Sequence, residues 1–343
     1  MNAVLDRLAA SSPRPVSVAS PELAAAPPEL GSAFARDVLA GLSLRHKSIP
    51  CTWLYDHRGS GLFEQITRLP EYYPTRNETW LLERCAGEIA ALAGPGASVI
   101  ELGSGSSRKT PLLLAALDNP ACYLPVDISA QFLAESVAAL RQRFPALPIV
   151  PTVADFTRLG PLDELPPDGR RLVFFPGSTI GNFMPEAAVA LLERIGAAVG
   201  PGALMVVGAD ANHDPAVLVP AYDDAQGVTA AFNKNLLLRI NRELGGDFST
   251  SAFRHEARYE PSQQRVEMHL VSEYSQRVSV LGRSFRFALG ESIHTENSYK
   301  YGVARFRALA QRAGWAHRQL WMDGQSRFAL HVLERQPRGV IET

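Results

Sequence analysis

The sequence predicts an α/β fold, a doubly wound parallel sheet accompanied by a second, smaller α+β unit, and three observations carry that reading. Short apolar runs at 98–102, 122–126, 149–153, 171–175 and 203–210 alternate with stretches of helical length. The first run, Val99-Ile100-Glu101-Leu102, leads into the glycine loop Gly103-Ser104-Gly105-Ser106-Ser107, a turn that lets backbone approach a ligand at the carboxyl end of a strand. The second run ends in Tyr123-Leu124-Pro125-Val126-Asp127, so an acid closes the next strand of such a sheet.

Residues 1–30 hold prolines at 13, 15, 21, 27 and 28 among alanines and serines, and read as a flexible or loosely packed arm. Residues 31–95 carry helical patterns at 33–39 and 78–83, interrupted by the polar, glycine-containing stretch 55–61, and form a helical flank that contributes to the substrate unit. The sheet core spans 96–211: helices near 108–117 and 129–143 join its first three strands, and another opens at Met184-Pro185-Glu186. From 212 to 298 the rhythm changes. Tyr222–Val228 leads into a helix at 229–244, and 265–271 and 276–280 alternate like strands of a more exposed sheet, a substrate-binding unit facing the core across the active site. Residues 299–343 return to the core with a helix at 301–313, ended by Gly314, and two strands within 315–334 that close the sheet as an antiparallel edge hairpin.

Composition narrows the function. Lys plus Arg is 34 against 35 for Asp plus Glu, which supplies no field for nucleic acid or an acidic membrane and leaves small, weakly charged partners. Cys51, Cys85 and Cys122 lack CxxC pairing, so neither a disulfide framework nor a zinc site is indicated, and a reducing cytoplasm fits. No segment has the apolar core of a signal peptide or reaches membrane-spanning length. A cytoplasmic monomer is expected.

The glycine loop is not the GxGxxG phosphate fingerprint, and no Walker lysine-serine pair follows it. The expected ligand is therefore a nucleoside without a pyrophosphate, and S-adenosylmethionine is the commonest such metabolite. Strand ends supply Gly103, Ser104 and Gly105, then Asp127, then Asp155 and Phe156, then Gly177 and Ser178, and Lys109 is grouped with them. The two oxygens of Asp127 match the two donors of a ribose diol. Asp155 receives the adenine amine while Phe156 covers a base face, and Glu101 orients the loop or faces the methionine ammonium.

Trp53-Leu54-Tyr55-Asp56 with Gly59-Ser60, the run 62–76 containing Glu71-Tyr72-Tyr73-Pro74-Thr75-Arg76, Glu101–Gly105, Gly177–Asn182, Ala221–Asp224, Phe232-Asn233 and Thr295–Ser298 resemble the histidine-specific Nα-methyltransferases of ergothioneine biosynthesis. The resemblance implies transfer of three methyl groups from S-adenosylmethionine to the α-amine of L-histidine, through mono- and dimethylated intermediates, to give hercynine, with no metal and no covalent enzyme intermediate. It places Tyr55 and Phe63 at the amino-acid entrance with the Tyr55 hydroxyl near the reacting amine, as the catalytic candidate. It puts Tyr72 beside cofactor and substrate, Asn182 and Tyr222 on the amino-acid head, and Met268, Glu296 and Ser298 around the imidazole. Asn297 stands where some relatives have an apolar residue.

The same residues make chemical sense alone. Asn182 and Tyr222 offer neutral donors and acceptors that select the head without an inert salt bridge. Glu296 accepts one imidazole N–H and Ser298 serves the other ring nitrogen, and their two-residue spacing puts both on one face of an extended segment. The bland alternative for Glu296 is a pair with Lys300. Competing functions are Nα-methylation of another amino acid, such as tryptophan or tyrosine, and non-catalytic S-adenosylmethionine binding.

Overall fold

The computed structural model describes residues 32–337 apart from 161, 163–164, 167–168 and 326, so the expected arm at 1–30 lies outside the described residues. Three helices come first, α1 (Ala33–Ser43), α2 (His57–Ile66) and α3 (Tyr73–Ala93). The core then runs β1 (Ser98–Leu102), α4 (Thr110–Ala116), β2 (Cys122–Asp127), α5 (Ala130–Arg143), β3 (Thr152–Val153), β4 (Arg171–Phe175), α6 (Pro185–Val199) and β5 (Leu204–Asp210). Next come α7 (Pro215–Tyr222), α8 (Val228–Leu244), β6 (Phe253–Glu260), β7 (Arg265–Ser272), β8 (Gln276–Val280), β9 (Arg283–Phe287) and β10 (Ser292–Tyr299). The described chain closes with α9 (Val303–Arg312), β11 (Trp315–Met322) and β12 (Phe328–Arg335).

The large sheet has the order β11-β12-β5-β4-β1-β2-β3. Strands β5, β4, β1, β2 and β3 are parallel, and β12 and β11 add the antiparallel edge hairpin. Both faces are covered, which is why the strands read as continuous apolar runs. Val99, Tyr123, Leu172 and Val206 pack under α3, α4 and α5, whereas Ile100, Val173, Met205 and Val207 pack under α6 and α9. The strand order reverses between β1 and β4, so their following loops part there and leave a crevice at the carboxyl ends. The third strand is shorter than its apolar run: Pro148 and Pro151 have no N–H to give to the ladder, and Ile149 joins Tyr123 by an isolated bridge only.

The second unit is built on the antiparallel sheet β10-β7-β6 and the hairpin β8-β9. Its core joins Phe34 and Val38 of α1, Leu237 and Ile240 of α8, and Phe253, Leu270 and Ile293 of the strands. Thus α1 and α2 pack with this unit while α3 lies on the large sheet, which divides the N-terminal flank between the two.

The 55–61 stretch, expected as an interruption, is largely helical from His57 onward. Asp56 caps α2 by accepting the Gly59 N–H at 2.7 Å, and Gly59 lets the helix meet the preceding turn closely. A Cβ at Gly59 would stand 1.8 Å from the Leu54 carbonyl oxygen. Gly59→Ala is therefore expected to destabilise the fold by about 2–4 kcal/mol, read as a lower urea midpoint at unchanged slope.

Candidate active site

A cleft of about 1000 Å³ opens between the carboxyl ends of the parallel strands and the second unit. Every residue singled out from sequence for cofactor or substrate lines it, including Lys109.

On the sheet side, Gly103 (φ 67°) and Gly105 (φ 51°) adopt left-handed backbone that a side chain would strain. The loop folds back on β2. Gly103 N–H donates to the Val126 carbonyl at 2.8 Å, and Gly105 N–H to Asp127 Oδ2 at 2.8 Å. Asp127 Oδ1 accepts the Ser129 N–H at 2.9 Å, so each carboxylate oxygen keeps capacity for a further donor from the cleft. The Ser104 hydroxyl is buried without a partner among the described residues, a polar group left for a ligand. Asp155 Oδ1 accepts the backbone N–H and hydroxyl of Thr157, and the Phe156 ring is set edge-on to Phe175 at 5.6 Å and Phe183 at 6.2 Å. Glu101 receives hydroxyl donors from Thr110 at 2.6 Å and Tyr123 at 2.5 Å beneath the loop, and burial lifts its carboxyl to about 7.

The side chains of Lys109 and Ser178 are also engaged with protein. The Lys109 ammonium is bound to buried Glu78, whose carboxylate also accepts the Gly177 N–H at 2.8 Å. Ser178 uses its hydroxyl oxygen to accept the Asp210 N–H at 2.9 Å. Both tie the β4 loop to its neighbours, and Lys109 lines the cleft with its ammonium held by Glu78.

The facing wall is aromatic. Phe63 lies 5.6 Å from Tyr55, 6.0 Å from Phe232 and 6.1 Å from Tyr72, ring centre to ring centre, and Tyr72 stands 6.1 Å from Tyr222. Burial pushes the phenols of Tyr55, Tyr72 and Tyr222 upward, so they stay neutral donors. Asn182 ends the short turn Thr179–Asn182 after β4, and its amide has no protein partner among the described residues.

Glu296 and Ser298 share one face of β10, as their spacing predicts. A bulge at Thr295 shifts the β10–β7 register so that Glu296 pairs with Met268 across the sheet, which brings these two candidates side by side. Glu296 approaches Tyr55 Oη at 3.5 Å, and burial raises its carboxyl to about 7. It does not pair with Lys300, which binds Asp210 Oδ2 at 2.8 Å. Ser298 Oγ lies 2.7 Å from Tyr222 Oη. Phe232, quoted in a motif without a role, and the Lys300–Asp210 pair were missed. The aromatic character of Phe232 at helical spacing reads as core, and Asp210 closes an otherwise apolar strand.

Among the described residues, no group of three or more His, Cys, Asp or Glu is placed to hold a metal, and no helix is long and apolar enough to cross a membrane. The unpartnered Ser104 hydroxyl, the residual acceptor capacity of Asp127 and the Phe156 face fit the hydroxyls and base of a nucleoside. Sheet order, edge hairpin and a nucleoside site without a phosphate fingerprint define an S-adenosylmethionine-dependent methyltransferase of the Rossmann-like class I fold. The chain belongs to the histidine-specific, S-adenosylmethionine-dependent methyltransferases, whose family model matches residues 34–335. It is similar to the histidine N-alpha-methyltransferase of Mycolicibacterium smegmatis, 42% identical over 88% of this chain and 95% of that protein. The histidine N-alpha-methyltransferase of Mycobacterium tuberculosis is 41% identical over 88% of this chain and 94% of its own length. Ergothioneine biosynthesis protein 1 of Neurospora crassa is 31% identical over 84% of this chain and 33% of its own length. Among solved structures, the CcbJ methyltransferase from Streptomyces caelestis aligns with a TM-score of 0.41 at 18% identity, covering 75% of this chain and 90% of that one.

Proposed function

We propose that this protein transfers three methyl groups in succession from S-adenosylmethionine to the α-amine of L-histidine, giving hercynine in a route to ergothioneine. The observation that carries this reading is the convergence of Glu296 and Ser298 from β10 with Asn182 and Tyr222 in one cleft continuous with Asp127 and the glycine loop. Bound there, S-adenosylmethionine supplies an electrophilic methyl carbon on a sulfonium leaving group. Asp127 holds the ribose diol, the Ser104 hydroxyl its surroundings, and Asp155 with Phe156 the adenine.

Asn182 and Tyr222 fix the carboxylate and amine without an ammonium-carboxylate pair that would hold the amine protonated. Tyr55 orients the amine lone pair, and its buried neutral phenol acts by position. Protons lost by the amine pass to solvent. The rings of Tyr55, Phe63, Tyr72, Tyr222 and Phe232 exclude water from the reacting nitrogen and stabilise the quaternary cation that accumulates methyl groups. Glu296 accepts one imidazole N–H and Ser298 serves the other nitrogen, with Met268 packed beside them. In this reading the protein works as a monomer. The three cysteines, all unpaired, support a reducing cytoplasm.

Purified protein incubated with S-adenosylmethionine and L-histidine is expected to yield mono-, di- and trimethylated histidine in succession by mass spectrometry. Saturable S-adenosylmethionine binding with no methylated histidine at any pH from acid to alkaline contradicts the reading.

A further inference from the structure

We infer that Lys300 and Asp210 form a positioning couple that leaves one hydroxyl proton of the Tyr222–Ser298 pair for the substrate, and so ties recognition of the amino-acid head to the protonation of its ring. The inference rests on the histidine reading of the cleft.

Both members of the couple are fully buried, and they join the end of β10 to the end of β5 across the two units. The Lys300 ammonium donates to Asp210 Oδ2 at 2.8 Å, Tyr222 Oη at 2.8 Å and Ser298 Oγ at 2.9 Å, which uses all three of its N–H bonds. Asp210, an acceptor only, is engaged as well: Oδ2 also accepts the Tyr73 hydroxyl at 2.6 Å, and Oδ1 accepts the Asn212 N–H at 3.0 Å. The couple therefore has no donor left for substrate. Its effect passes through the two hydroxyls.

Each hydroxyl oxygen receives a proton from Lys300, so neither hydroxyl proton points at Lys300. The oxygens are 2.7 Å apart, so one O–H is spent on the other oxygen and one remains for the ligand. A substrate carboxylate accepts only, which requires Tyr222 to point outward and Ser298 to donate to Tyr222. Ser298 then offers the ring only a lone pair. The facing ring nitrogen must carry its own N–H, and the proton on the opposite nitrogen is shared with Glu296. The ring and Glu296 together hold two protons, where free ligand with a neutral ring and ionised Glu296 holds one. Binding takes up one proton from solvent.

The titratable groups facing Glu296 are Cys51 and Tyr55 before α2, Tyr72 before α3, Tyr222 at the end of α7, and Lys300. Burial keeps the thiol and the phenols neutral, and Asp210 offsets the Lys300 charge, so the uptake belongs to Glu296 and the ring.

The test is calorimetry of hercynine binding at about pH 8 in buffers of different ionisation enthalpy, because hercynine has a quaternary α-nitrogen and no ammonium proton to lose. The inference expects uptake approaching one proton per site in the wild-type protein. It expects little uptake in the Lys300→Met, Asp210→Asn double variant, which removes the couple without stranding a buried charge, together with a rise in KM for histidine of about tenfold or more. S-adenosylmethionine affinity should stay within about threefold, a change under 1 kcal/mol. Hercynine binding without proton uptake in the wild type overturns the inference while leaving the histidine reading intact, and this measurement does not depend on the variant folding. Equal uptake in both proteins also overturns it. Failure of the wild type to bind hercynine or to methylate histidine overturns the underlying reading instead.

Discussion

Glu296→Ala is expected to lower kcat/KM for histidine by about a hundredfold, since a charge-assisted hydrogen bond to a ring N–H is worth about 1.5–3 kcal/mol. Few groups are placed to compensate. The carboxylate is buried, Tyr55 is 3.5 Å away, and Lys300, whose charge acts on it, is committed elsewhere. The loss falls on histidine and spares amino acids with no ring N–H in that position, so relative selectivity for tryptophan or tyrosine over histidine should rise. Retained histidine preference in the alanine variant would place the specificity group elsewhere. The same carboxyl has a signature in the ligand-free protein. Its pKa is raised by burial to about 7, so the native state holds a proton that the unfolded chain has lost over the window from 4.5 to 7. That contribution is present below 4.5 and is lost as pH rises through 7. Relative to Glu296→Gln, the wild type should lose roughly 3 kcal/mol of stability across this window and remain level above it, read from urea unfolding at a series of pH values.

Asp127→Ala should weaken S-adenosylmethionine binding by about a hundredfold or more. The substitution removes the proposed ribose acceptor and also strands the N–H groups of Gly105 and Ser129, which the carboxylate holds at 2.8 and 2.9 Å. Two separate effects therefore act on one affinity. Asp127→Asn keeps one acceptor oxygen and should fall between the wild type and alanine. Titration with S-adenosylhomocysteine measures both without interference from turnover. Near-wild-type affinity in the alanine variant would remove Asp127 from the cofactor site.

The parallel core was legible because its strands are buried on both faces and carry unbroken apolar runs such as Leu172–Phe175 and Leu204–Val207. The second unit was harder to read. In β10 the residues Glu296 and Ser298 turn toward the cleft and replace the apolar alternation that marks a strand, so function hides the element that displays it. In β6 and β9 arginines alternate with buried Phe253, Phe285 and Phe287 too briefly to separate from loop. Pro220 within α7 disguises a helix whose last residue is Tyr222. The site residues were read from motif resemblance and strand ends, both local signals. Lys300 and Asp210 escaped because their meaning lies in a contact between segments 90 residues apart, and no local pattern records it.

The central claim is methylation of histidine on its α-nitrogen, and it is tested most directly by product mapping. The protein would be incubated with S-adenosylmethionine bearing a ¹³C methyl group and an equimolar mixture of the proteinogenic amino acids, and labelled products located by NMR and tandem mass spectrometry. The account predicts label on histidine alone, all of it on the α-nitrogen, ending as the trimethylammonium form. Label on an imidazole nitrogen, or on a different amino acid in preference to histidine, would contradict it.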